Sequence, residues 1–312
     1  MYTPDCQNIY QGNLGITKVY QGDTVVWEIS PNRKLFYTST NGRIVTPYNE
    51  DFGTAVIISN SLEGVNGVIS FDRKLERIGT HAFRDCVNLL NIVLPDTVTS
   101  LGVQTFIDCE YMEGITLSSG ITVIPSGCFY GCRSLSGITI PEGVTQIAGL
   151  AFEGCLSLQN ITIPSGVTTI GSQAFQGCKG LQSITIPDTV VSIEGNAFSQ
   201  CSSLSNVSIG SGITGITGSM FALCTSLSSI TIPNNIVSIG NNAFFECTGL
   251  SSVTIPNSVV SIGNNAFYDC TTLQTINYNG TKTQWNSVSK GNNWHKNSPA
   301  TVVHCTNGDV PI

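Results

Sequence analysis

CLSLQNITIPSGVTTIGSQAFQG, residues 155–177, is followed at residue 178 by another cysteine and a second copy of the same pattern. Nine cysteines recur at this 23-residue interval: Cys86, Cys109, Cys132, Cys155, Cys178, Cys201, Cys224, Cys247 and Cys270. A phenylalanine stands three residues before each, from Phe83 to Phe267. Self-similarity at such a period marks a solenoid, in which one unit cannot bury its apolar face alone and neighbours stack into a continuous core. The period decides the fold before any propensity is weighed, and it turns attention from a catalytic pocket to an extended surface.

Within the unit, Ile161-Thr162-Ile163 alternates apolar, polar, apolar, the pattern of a half-buried strand. Pro164 ends it because proline cannot donate to a ladder, and Ser165-Gly166 has turn composition. Val167 and Ile170 resume an inward-facing pattern that Gly171 breaks, and residues 173–178 read as a short helical turn burying Ala174, Phe175 and Cys178. Stacking aligns Ile115, Ile138, Ile161, Ile184, Val207, Ile230, Val253 and Ile276 into one inner column. Val98, Ile121, Val144, Val167, Val190, Ile213, Ile236 and Val259 form another.

Charged residues make up 11% of the 312-residue chain, against about 25% in a typical soluble domain. Net charge is −7, so a phosphate backbone finds no electrostatic footprint and nucleic acid is not an expected partner. No apolar run is long enough to span a bilayer. Residues 1–11 lack a basic n-region and an apolar h-region. Two readings stay open: a cytoplasmic product, or a secreted one whose leader has been removed. Twelve cysteines would ordinarily prompt a disulfide framework. Equivalent positions in successive turns point the same way, however, so the repeating thiols read as one core layer of small hydrophobes. Cys128 takes the slot that holds Ala151 and Ala174 in other units, where a bridge to Cys132 is an alternative; Cys6 and Cys305 lie at opposite ends, too distant to pair across a solenoid.

The pattern L-x-x-I-T-I-P-x-x-V-T-x-I-G-x-x-A-F-x-x-C resembles the BspA-like leucine-rich repeat family, over residues 67–278. Departures are local: Met112 replaces the leucine, Ser118 and Gly210 the proline, Thr105 and Met220 the alanine. The resemblance implies a leucine-rich repeat β-solenoid of short parallel strands and short helical turns, with bacterial cell-surface or extracellular display. It also implies binding to host matrix, host cells or other bacteria.

The ends depart from the period. Residues 1–30 read as a small β element or linker, in which Asn8-Ile9-Tyr10-Gln11-Gly12 is echoed by Lys18-Val19-Tyr20-Gln21-Gly22. Residues 31–66 read as capping strands, with Asn41-Gly42 between Leu35-Tyr37 and Arg43-Val45 signalling a type I′ hairpin. Residues 64–79 read as a partial unit: Ile69 and Phe71 on its strand, Leu75 and Ile78 as the following pair, Asn60 and Glu63 in the phenylalanine and cysteine slots. Residues 279–312 form a C-terminal cap in which Trp285 and Trp294 seal the core and residues 301–305 make a final strand.

Catalytic patterns are absent from this reading. His81, His295 and His304 show no spacing to a nucleophile or metal partner, and His304 beside Cys305 fails as a dyad because adjacent strand residues face opposite ways. No metal ligands and no cofactor motif are recognised. The sequons at Asn160 and Asn206 fall in the repeating strand. The outward strand position carries Thr116, Thr139, Thr162, Thr185, Ser208, Thr231 and Thr254, next to Asn160, Ser183, Asn206, Ser229 and Ser252. Threonine suits an exposed strand in any case; the functional alternative is an uncharged platform that hydrogen-bonds a protein or glycan. The position after each phenylalanine is the most variable, and there Tyr130, Phe245 and Tyr268 either anchor a partner or pack over the turn. The expectation is a non-enzymatic, monomeric binding or adhesion protein; the alternative is a structural spacer presenting the N-terminal element.

Overall fold

A computed structural model describes residues 31–312, together with the strand backbones of residues 18–21 and 24–28. Lys18–Gln21 and Thr24–Glu28 pair antiparallel. The rest of the reading of residues 1–30, Cys6 included, lies outside the described residues.

From residue 77 the chain is a series of turns that stack into a β-solenoid with two sets of parallel strands. The first ladder uses the Ile-Thr-Ile segment: Ser183–Ile186 pairs with Asn206–Ile209, and Ser229–Thr231 with Ser252–Ile255 and then Thr275–Tyr278. The second uses two-residue strands, as in Val123–Ile124, Gln146–Ile147, Thr169–Ile170 and Ser192–Ile193. Register is fixed because a one-residue slip would turn every apolar side chain outward. The first inner column thereby lines up, with Ile184 opposite Val207 and Val253 opposite Ile276, and the residues of the second, from Val98 to Val259, are all buried.

The third side of each turn is built from i→i−3 bonds rather than an α-helix. Gln176 N donates to Gln173 O and Cys178 N to Phe175 O, while Gln173, Phe175 and Gly177 donate instead to the next repeat at Gly195, Ala197 and Ser199. This alternation requires left-handed backbone at two positions four residues apart, Gln173 (φ 60) and Gly177 (φ 69). From Gln173 to Cys178 every main-chain donor is thus used either within a turn or between turns, as a buried backbone demands.

Inside, the phenylalanines form a ladder. From Phe83 to Phe267 successive rings stack with centroids 5.1–5.8 Å apart and interplanar angles of at most 16°. The ten cysteines from Cys86 to Cys270, Cys128 among them, are free and buried, so neither a disulfide column nor a Cys128–Cys132 bridge forms. They do more than fill space. Cys109 Sγ donates to Phe83 O at 3.0 Å, Cys178 Sγ to Phe152 O at 3.1 Å, and the same bond repeats at every step to Cys270 on Phe244. Burial drives these thiols upward in pKa, to about 12 for Cys201 and Cys270.

Both ends differ from the sequence expectation. The strand Asn66–Phe71 does not stack in parallel on the first full unit. Lys34–Ser39 lies between it and Leu89–Val93, antiparallel to both. With both its edges occupied, Lys34–Ser39 leaves none for residues 43–45, so the Asn41-Gly42 hairpin does not form. Those residues fold across the sheet instead, held by Asn88 Nδ2 on the Arg43 and Ile44 carbonyls and by Tyr37 Oη accepting from Val45 N. Asn60 and Glu63 do not fill the phenylalanine and cysteine slots. Phe52 places its ring edge-on against Phe83 at 6.0 Å, and the Thr46 carbonyl accepts the Cys86 thiol. The second half of the partial unit does stack, with Arg77–Ile78 paired to Ser100–Leu101.

At the other end the repeat continues in disguise. Asn265 N, Phe267 N and Asp269 N donate to Asn292 O, Trp294 O and Lys296 O, as each turn donates to its successor. His295 therefore occupies the phenylalanine slot and Ser298 the cysteine slot, 28 residues on because the helix Lys282–Ser287 is inserted. Lys290 replaces the isoleucine and donates to the Trp285 and Val288 carbonyls. Trp294 meets Phe267 edge-on at 6.3 Å and Trp285 at 5.7 Å, closing the aromatic ladder with the same geometry as Phe52 at the other end.

Two outcomes test this core. Because burial raises the folded thiol pKa, the unfolded chain holds fewer protons above about pH 8.5. Stability is full below that pH and falls as pH rises toward the folded values of about 12. Urea midpoints at about pH 7 and about pH 10 should show the loss, with the ladder thiols unreactive to Ellman reagent until the chain unfolds. Phe175→Ala should cost about 3–5 kcal/mol in the same assay, and Gly177→Val, at a left-handed position, about 1–2 kcal/mol.

Candidate interaction surface

The strand ladder leaves every second side chain facing out. Thr116, Thr139, Thr162, Thr185, Ser208 and Thr231 are exposed and Thr254 is half-buried. Register brings Thr185 beside Ser208, Thr231 beside Thr254, and Thr254 in turn beside Asn277. Thr116 pairs with Val93. The predicted column is therefore one face of the molecule, free of charge along its length.

That face is not uniform. Across the units holding Thr139 and Thr162 the ladder reduces to one bridge, Gly137 to Asn160. No main-chain hydrogen bond joins residues 138–140 to 161–163. A depression of about 400 Å³ opens here, lined by Ile138, Asn160, Ile161, Thr162, Ile163, Ser183 and Thr185. A second, of about 670 Å³, lies on the preceding segments of the same units, against Glu113, Ser136, Gln159 and Gln182 among others. Sequence reasoning did not find this break. Its signal is Gly137, since glycine weakens a strand interior and leaves no side chain to cover the gap; a Cβ built there meets nothing within 4 Å.

Behind the phenylalanines, Phe245 and Tyr268 stack on each other at 5.4 Å and 10°, both half-buried. Their column is otherwise mixed, with Ser199 and Ala222 buried in the two preceding units. Tyr130 stands five units away, so the three aromatics do not form one cluster.

The histidines serve the framework. His81 Nε2 contacts Gln104 Oε1 at 2.6 Å in the next unit. His304 Nδ1 meets Asp309 Oδ1 at 2.9 Å across the hairpin of Val302–Cys305 and Gly308–Pro311, on an exposed face. Cys305, the next residue on that strand, is half-buried, and desolvation raises its thiol pKa. Among the described residues no group of three or more His, Cys, Asp or Glu is placed to hold a metal, and no helix is long and apolar enough to cross a membrane.

Comparison with known proteins matches this architecture. The family model for BspA-type leucine-rich repeat regions matches residues 65–182 and 169–289, with six copies of the repeat. Among solved structures, a leucine-rich repeat protein from Bacteroides ovatus aligns at 26% identity and a TM-score of 0.56, covering 80% of this chain and 62% of that one. This chain therefore spans less than two thirds of that protein's length. A leucine-rich cell surface protein from Faecalibacterium prausnitzii aligns at 26% identity and a TM-score of 0.35, covering 75% and 89% respectively. A leucine-rich repeat protein from Eubacterium ventriosum gives 21% and 0.48, covering 77% and 86%. The comparison with curated proteins gives no match.

Two measurements check the geometry. Lysine at Thr139, Thr162 or Thr185 should change folding stability by no more than about 0.5 kcal/mol, since these residues are exposed. A double-mutant cycle of Phe245→Ala and Tyr268→Ala should return a coupling of about 0.5–1.5 kcal/mol in urea unfolding.

Proposed function

The chain belongs to the BspA-type leucine-rich repeat family, and on that premise we propose that it is a non-enzymatic interaction scaffold, displayed outside a bacterial cell, that holds a protein or glycan partner on its strand face. The observation that carries this reading is the exposed column from Thr116 to Thr231, a row of hydroxyls repeated unit by unit along one wall of the solenoid. Most of the apolar side chains beneath it are committed to the core, so the outer walls are what the molecule has to act with.

Several features support the details. An uncharged hydroxyl and amide face offers hydrogen bonds in register without the cost of stripping water from ions. The ladder is rigid before any partner arrives, which reduces the ordering entropy of association. Extracellular display rests on the family resemblance. The non-enzymatic reading rests on the chemistry of the histidines and thiols: His81 and His304 are tied to framework partners, and the repeating thiols are held protonated in the core.

The test is capture of partners from panels of extracellular-matrix proteins and oligosaccharides by the purified chain. A Thr139→Lys, Thr162→Lys, Thr185→Lys triple variant should lose at least tenfold in affinity for whichever partner binds, while circular dichroism stays unchanged. Capture by the triple variant equal to that by the unaltered chain would exclude the strand face as the platform.

A further inference from the structure

We infer that the break in the strand ladder at Gly137 and Asn160 is a binding cleft for a neutral oligosaccharide. The inference rests on the strand face being the interaction surface, and it names both the place and the ligand class.

The break is confined to one wall. Over the same units the second ladder stays paired from Val123–Ile124 to Ser192–Ile193, and the rings of Phe129, Phe152 and Phe175 stack at 5.2 Å. On either side the first ladder is intact, from Asn91 to Gly114 before it and from Ser183 to Asn206 after it. The core is thus fully formed while this stretch of the outer sheet is left open, as it is again between Asn206–Ile209 and Ser229–Thr231. Residues 138–140 and 161–163 consequently carry peptide donors and acceptors that no other repeat satisfies. Such groups are met by water or by a ligand, because a main-chain polar group without a partner is costly.

The lining selects the ligand. Asn160, Thr162, Ser183 and Thr185 supply amide and hydroxyl groups around the opening, and half-buried Ile138 supplies an apolar floor. The adjoining depression adds Gln159 and Gln182. A sugar hydroxyl donates and accepts at once, so it matches free N–H, free C=O, amide and hydroxyl alike, and the C–H face of a pyranose covers an isoleucine. No Lys, Arg or His lines either depression, and the one charged group present is Glu113. With a net charge of −7 the chain repels sulfated or sialylated chains, which leaves neutral ones. No aromatic ring lines the cleft, so it lacks the pocket in which a protein hot spot would bury an anchor.

The experiment is an array of neutral and acidic oligosaccharides read with the full chain, followed by calorimetry on the best neutral binder. Two variants address the cleft: Asn160→Ala combined with Thr162→Val removes hydrogen-bonding groups, and Gly137→Tyr fills the space where an added Cβ meets nothing. Each should weaken binding at least tenfold with the melting temperature retained. Thr231→Val with Thr254→Val, the same chemistry on an intact part of the ladder, should leave it unchanged. Hydrogen exchange should show the amides of residues 138–140 and 161–163 protected by the sugar. Failure of every neutral oligosaccharide to bind, preference for acidic ones, or equal binding by the cleft variants would overturn the inference. Capture of a matrix protein that the lysine variants abolish, with no sugar bound, would sink the glycan assignment and leave the strand-face reading standing. Sugar binding that survives both the cleft and the lysine variants would remove the two together.

Discussion

The carbonyl of each ladder phenylalanine from Phe83 to Phe244 accepts two hydrogen bonds, one from the cysteine N–H of its own turn and one from the cysteine thiol of the next. At Phe152, these come from Cys155 N at 3.2 Å and Cys178 Sγ at 3.1 Å. This shared acceptor locks turn to turn on the side of the molecule that has no continuous strand. It also explains why the slot holds cysteine. The residue must be small enough to sit beneath a stacked ring, apolar enough to be buried, and still able to donate a proton to a carbonyl. Alanine would leave the carbonyl with one bond fewer, and a larger donor would push the rings apart from their 5.1–5.8 Å spacing.

A ladder of this kind has no natural end, so the ends must be built from other material. At the first unit, the Thr46 carbonyl and the Phe52 ring come from a segment that runs across the opening, and the antiparallel strand Lys34–Ser39 covers the exposed edge of the sheet. At the last, the core residues become polar one by one as Lys290, His295 and Ser298 take the isoleucine, phenylalanine and cysteine slots. Capping units with a polar outer face are what a one-dimensional array requires to remain a single molecule in water. His295 Nδ1 and Ser298 Oγ are buried without a protein partner, and burial holds the His295 imidazole below its ordinary pKa.

Much of the core was legible in the sequence because equal spacing maps to equal position. Phe175, Cys178, Leu181, Ile184 and Val190 are all buried where the period puts them. The thiol donors were not legible, since their acceptors are main-chain atoms in a neighbouring unit and leave no trace in side-chain identity. The tenth unit escaped for a related reason. A helix inserted between Tyr278 and Ser289 shifts its spacing, and polar substitution removes the phenylalanine and cysteine that announce the others. At the N-terminus, Asn41-Gly42 carries a sound local hairpin signal that loses to tertiary pairing, because both edges of the preceding strand find longer partners. On the outer face, the threonine column was visible but its break was not. Pairing there turns on backbone geometry around Gly137, which composition alone does not fix.

The account stands or falls on the thiols being hydrogen-bonded donors rather than passive filler or oxidised pairs. The Raman S–H stretching band of the native chain reads this state directly. A narrow band displaced to lower frequency than that of a free thiol, broadening and moving back on unfolding, is the predicted result. A native band at the free-thiol position, or a disulfide stretch in its place, would contradict it.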